Sequence, residues 1–117
     1  MAISAIDDRR KHTRVPTDLD FSLLLNGTEF KGKIGNISLS GAFLLEPEPE
    51  IFPSLITQQG YLTITLGSEP LRFQCEVVYA AGHENTYFPV GAGVIFSEID
   101  EETQLSIIKV ATALNLS

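Results

Sequence analysis

The sequence predicts a mostly β fold: a six-stranded antiparallel β-barrel, closed or nearly closed, with one C-terminal α-helix covering an opening. Three observations predict it. Apolar and polar residues alternate with period two through most of the chain. Turn signals divide these runs at short intervals, and only the last segment repeats its apolar residues at helical spacing.

The elements follow in order. Asp20 to Leu25 is largely apolar and ends at Asn26-Gly27, the strongest short hairpin signal, so Thr28 to Ile37 reads as the return strand. Gly41 to Leu45 is a short third strand ended by Glu46-Pro47-Glu48-Pro49, and a loop or short helical turn fills Glu50 to Gln59. Tyr61 to Leu66 and Leu71 to Ala80 alternate on either side of the turn Gly67 to Pro70, which makes a second hairpin. Ala81 to Asn85 is turn-like. Thr86 to Phe96 is the sixth extended segment, with Gly91 and Gly93 marking a bulge or a close backbone approach. Asp100 reads as the N-cap of a helix over 100–115, Glu101 and Glu102 suit the positive end of its dipole, and Ile107, Val110, Ala111 and Leu114 share its buried face. Closure of the barrel removes exposed strand edges.

With 117 residues, 44% apolar and 20% charged, the chain has room for one domain and one core. The reading divides it into a mobile segment 1–8 and a single domain 9–117, with an arm 9–18, the barrel 19–97 and the helix. No apolar run approaches the roughly 20 residues of a membrane span, and Met1 to Ile6 lacks signal-peptide character, so a cytoplasmic location is expected. Cys75 is the only cysteine, which rules out an internal disulfide. His12, His83 and the carboxylates show no metal-ligand spacing. Gly91-x-Gly93 lacks the third glycine of a dinucleotide fingerprint, and no nucleophile–histidine–acid set can be assembled, so no catalytic site, cofactor or metal is expected.

The charge distribution is uneven. The formal charge is −7, yet Arg9, Arg10, Lys11 and Arg14 are half of the eight basic residues. Beyond Lys33 only Arg72 and Lys109 face ten carboxylates. A basic end on an acidic body draws a small, highly charged anion, whereas the phosphates of an extended nucleic acid would run onto repelling surface. Arg10 and Arg14 lie roughly 13 Å apart if extended and about 6 Å apart on one face if helical, and either spacing lets two guanidinium forks meet one ligand. The plainer alternative is a solvated charged arm.

The second motif is Asn36-Ile37-Ser38-Leu39-Ser40-Gly41. Strand alternation puts Asn36, Ser38 and Ser40 on one face as a polar contact surface, with Gly41 allowing close backbone approach. A tight turn at the strand end is the structural alternative.

Together the two motifs resemble the PilZ domain, a bacterial cyclic di-GMP receptor family. Arg10 and Arg14 match its R-x-x-x-R, and Asn36, Ser38 and Gly41 its [Asp/Asn]-x-Ser-x-x-Gly, followed by Ala42-Phe43-Leu44; Gly91 to Phe96 looks like its closing strand. The resemblance implies arginines that hold phosphate and guanine, with Asn36 and Ser38 at a guanine edge and Gly41 admitting it. Asn36 stands where many members have Asp, which removes an anionic acceptor and weakens binding. Arg9, directly before the pair, is similar to the arrangement that in some members favours an intercalated ligand dimer. The expected function is a stand-alone receptor whose ligand orders the arm and alters the surface offered to an effector protein. The alternative is a PilZ-like interaction module with weak or no nucleotide binding, self-associating as a homodimer through Leu105, Ile108 and Leu116. Single-stranded RNA binding is disfavoured by the acidic body.

Overall fold

The computed structural model describes residues 12–84 and 87–117. The expected mobile segment 1–8, together with Arg9, Arg10 and Lys11, lies outside the described residues.

Seven strands and one α-helix occur among them: β1 (Val15–Pro16), β2 (Asp20–Leu25), β3 (Thr28–Ile37), β4 (Gly41–Glu48), β5 (Gln59–Leu66), β6 (Glu69–Ala81), β7 (Gly91–Phe96) and α1 (Glu101–Leu114), with a 3₁₀ turn at Pro53–Leu55. The antiparallel order β3-β2-β5-β6-β7-β4 closes through β4 on β3, giving the six-stranded barrel. β1 is an additional strand. It continues along the edge of β3 that β2 leaves, because β2 pairs with Thr28 to Lys33 and β1 with Asn36 and Ile37.

Local chemistry sets these elements. Asn26 and Gly27 both take left-handed backbone, with φ of 48° and 80°, as a two-residue type I′ hairpin requires. The alternating residues of the strands fill the lumen: Leu23, Ile34, Leu44, Leu62, Ile64, Phe73 and Val77 are fully buried, and Phe73 stacks on Phe96 at 4.7 Å. Cys75 belongs to this core, and burial pushes its thiol up to about 12, so it stays protonated as a small hydrophobe.

Several predicted boundaries shift, β5 among them, which starts at Gln59. β4 runs through Glu46-Pro47 to Glu48 instead of turning there, because beyond Leu45 only β3 pairs with it, and a strand with one partner tolerates a residue lacking N–H. β6 begins at Glu69 and is shared, pairing with β5 up to Glu76 and with β7 from Cys75 past a bulge between Val77 and Tyr79. β7 starts only at Gly91, which leaves Tyr87 to Val90 as loop.

The helix starts where predicted, but its buried face is partly polar. Asp100 caps it by accepting from the Thr103 amide at 3.0 Å and the Thr103 hydroxyl at 2.6 Å, and these bonds hold the Asp100 carboxyl below its ordinary range. Thr103, Ser106 and Val110 are buried, and Ile107 and Leu114 pack partly against the core. The hydroxyls serve the part of β6 that β7 does not reach. Thr103 Oγ1 accepts from the Gln74 amide at 2.7 Å, and Ser106 Oγ donates to the Arg72 carbonyl at 2.8 Å. Thr103→Val keeps the shape and orphans the Gln74 N–H, so chemical denaturation should show a loss of about 1–3 kcal/mol. Leu116, expected on an exposed contact face, instead packs against the core. Leu105 and Ile108 are exposed as expected.

Candidate functional site

The motif residues meet where β3 ends. The antiparallel register pairs Val15 with Ile37 and Pro16 with Asn36, so the chain running back from β1 brings Arg14 level with Ser38. The predicted alternation does not extend through Ser40, because β3 ends at Ile37 and the chain turns. The Ser38 amide donates to the Gly41 carbonyl at 2.9 Å, and the Ser40 amide donates to the Ser38 hydroxyl at 3.2 Å. Hydrogen bonding inside this turn buries Ser38, while Ser40 is exposed and Asn36 half-buried. Gly41 faces the neighbouring strand: a Cβ there would lie 2.2 Å from the Val94 carbonyl oxygen.

These residues rim an open groove of about 990 Å³ on the outer wall of the barrel. Arg14, Asn36, Ser38 and Gly41 all line it, so four of the six expected ligand residues converge. Arg9 and Arg10 are outside the described residues. Among the described cations, Lys33 pairs with Asp20 at 2.7 Å, Lys109 with Glu69 at 2.6 Å and Lys31 with Glu29 at 3.9 Å, while Arg72 lies over the Tyr61 ring. The Asp20 carboxylate holds the Lys33 ammonium above its ordinary range. Arg14 makes no such pair among the described residues and brings its charge to the groove. A second recess of about 200 Å³, beside Gln59, Glu76 and Ile99, has no cationic lining.

The floor was not legible in the motifs. Phe43 and Leu45 on β4, Ile95 on β7, and Val78 and Tyr79 on β6 all line it, with Leu45, Val78 and Ile95 each more than two-fifths exposed. Outward alternation marks Phe43 and Leu45 as a pair, but the register between β4, β7 and β6 is what joins them to Tyr79. On the far wall, the Tyr79 hydroxyl donates to the Pro89 carbonyl at 2.7 Å.

The loop carrying that wall is pinned at its base. His83 Nδ1 lies 2.5 Å from Glu50 Oε1 and Nε2 lies 3.2 Å from Glu46 Oε2. Hydrogen bonding to Glu50, then to Glu46, raises the His83 pKa, and the His83 contact lowers that of Glu50. The histidine contribution is complete below its unfolded value of 6.5 and is lost as pH rises through the raised folded value. The Glu50 contribution is present above 4.5 and is lost as pH falls through the lowered one. Urea midpoints of wild type and His83→Gln should therefore differ most between about pH 4.5 and 6.5 and converge in alkali.

A small closed barrel with a side-chain-filled lumen and a recess on its outer wall, rimmed by Arg14 just ahead of β1 and by a polar turn, defines a class of small β-barrel domain. The PilZ domain family model matches residues 8–112, and the chain belongs to that family. Its fold is similar to the PilZ domain of CeSA from a cellulose-synthesizing bacterium, with a TM-score of 0.70 and 16% identity over 88% of this chain and 98% of that one. It is also similar to the Bacillus subtilis inhibitor of motility MotI/DgrA, with a TM-score of 0.64 and 19% identity over 92% of this chain. The match covers 52% of that protein, so the chain spans about half its length. No curated protein matches the sequence. No described helix is long and apolar enough to cross a membrane.

Proposed function

We propose that the chain is a stand-alone cyclic di-GMP receptor of the bacterial cytoplasm, with its ligand in the groove between Arg14 and the Asn36–Gly41 turn. The single observation carrying this reading is the β1–β3 register, which delivers Arg14 to the same recess as Asn36 and Ser38. A guanidinium fork suits phosphate or a guanine edge, and an amide and a hydroxyl complete a polar rim. The groove's volume, at the upper end of the usual range for pockets, suits a dinucleotide. In this reading Arg9 and Arg10 close over the ligand from the arm, Arg9 favours two intercalated molecules, and the ordered arm presents a changed surface to an effector protein. Calorimetric titration with cyclic di-GMP tests it. Wild type should bind with a measurable stoichiometry and Arg10→Ala/Arg14→Ala should not; equal binding by both excludes this site.

Leu105 and Ile108, both more than three-fifths exposed on α1, favour a second reading as an interaction module that self-associates. A stable dimer by analytical ultracentrifugation, with no nucleotide binding, would select it.

A further inference from the structure

The ladder places four residues of four adjacent strands in one row across the outer wall. Asn36 on β3 pairs with Phe43 on β4, Phe43 with Gly93 on β7, and Gly93 with Tyr79 on β6. Gly93 puts no side chain between the two rings, whose centroids are 6.0 Å apart at an interplanar angle of 48°, and the Phe43 ring tips toward Gly91, where an added Cβ would lie 2.8 Å from its Cζ. Neither ring belongs to the hydrophobic core. Both line the groove, beside exposed Leu45. The row therefore runs from a hydrogen-bonding amide to two adjoining, mutually tilted rings on the outside of the barrel.

We propose that Phe43 and Tyr79 form a base-stacking platform that sets the ligand specificity of the groove. Resting on the cyclic di-GMP reading above, the inference adds which part of the ligand is read apart from its charge. A purine laid on Phe43 has its edge toward Asn36, the next residue in the row, so one base is met through its face and its edge together. Phosphate contacts by arginine would accept any cyclic dinucleotide, whereas stacking favours the larger purine surface. Tyr79 holds its ring in place through the hydroxyl bond to Pro89, and that bond is separable from the stacking itself.

The test titrates wild type, Phe43→Leu, Phe43→Tyr, Tyr79→Phe and Arg14→Ala with cyclic di-GMP and with cyclic di-UMP, which carries the same phosphates and smaller bases. Wild type should prefer the purine ligand. Phe43→Leu should lose about tenfold or more in affinity for cyclic di-GMP and little for cyclic di-UMP, so that the preference narrows. Phe43→Tyr and Tyr79→Phe, which keep both rings, should stay within about twofold of wild type on the same scale. On wild type itself, cyclic di-GMP should shift the Phe43 ring-proton resonances through ring currents, a readout that needs no variant to fold. Full affinity in Phe43→Leu alongside loss in Arg14→Ala overturns the platform and leaves the receptor reading intact. Unmoved Phe43 ring-proton resonances at saturation overturn the platform as well. Wild type binding neither ligand overturns the receptor reading, and the platform with it.

Discussion

Arg14→Ala should weaken cyclic di-GMP binding about 10- to 100-fold while leaving the thermal midpoint unchanged. A hydrogen bond to a charged group contributes about 1.5–3 kcal/mol, and each 1.4 kcal/mol is tenfold in affinity. Stability is spared because Arg14 is exposed and makes no ion pair among the described residues. Arg14→Lys should recover only part of the loss, since an ammonium keeps the charge but not the planar fork. Calorimetry read beside a melting curve checks both statements; a fall in midpoint with unchanged affinity would make Arg14 a structural residue.

Gly41→Ala should do the opposite and act first on the fold. The added Cβ would stand 2.2 Å from the Val94 carbonyl oxygen, 3.2 Å from the Val94 carbonyl carbon and 3.3 Å from the Ile95 Cα. All three are backbone atoms, so no side-chain rotation relieves the collision, and the β4–β7 ladder that carries the groove floor has to open. A cost of about 3 kcal/mol or more is expected, lowering the thermal midpoint by about 10 °C. A variant melting within about 2 °C of wild type would overturn this account of the glycine.

The two substitutions show what could be read before folding. Arg14, Asn36, Ser38 and Gly41 stand out by residue type and spacing, and the groove does gather them. The reason for the glycine could not be read, because the atom it avoids belongs to a strand brought alongside only by closure of the barrel. Phe43 and Tyr79 were hidden for the same cause: their shared row is a product of register across β4, β7 and β6. Both hairpins and the helix start were legible because turn and cap residues act locally, as Asn26-Gly27 and Asp100 do. Thr103 and Ser106 pattern as solvent-facing hydroxyls, and only the bare stretch of β6 makes burying them favourable. β1 is two residues long, too short for any period to announce it.

That short strand makes one edge of the sheet a poor docking template. With the barrel closed, β1 is the terminal strand of the sheet among the described residues, and Pro16 has no N–H to offer an incoming chain. Strand addition, a common route by which β proteins capture extended peptides, has almost no template on β1. Along this edge a partner would meet side chains and surface shape, with little backbone hydrogen bonding on offer.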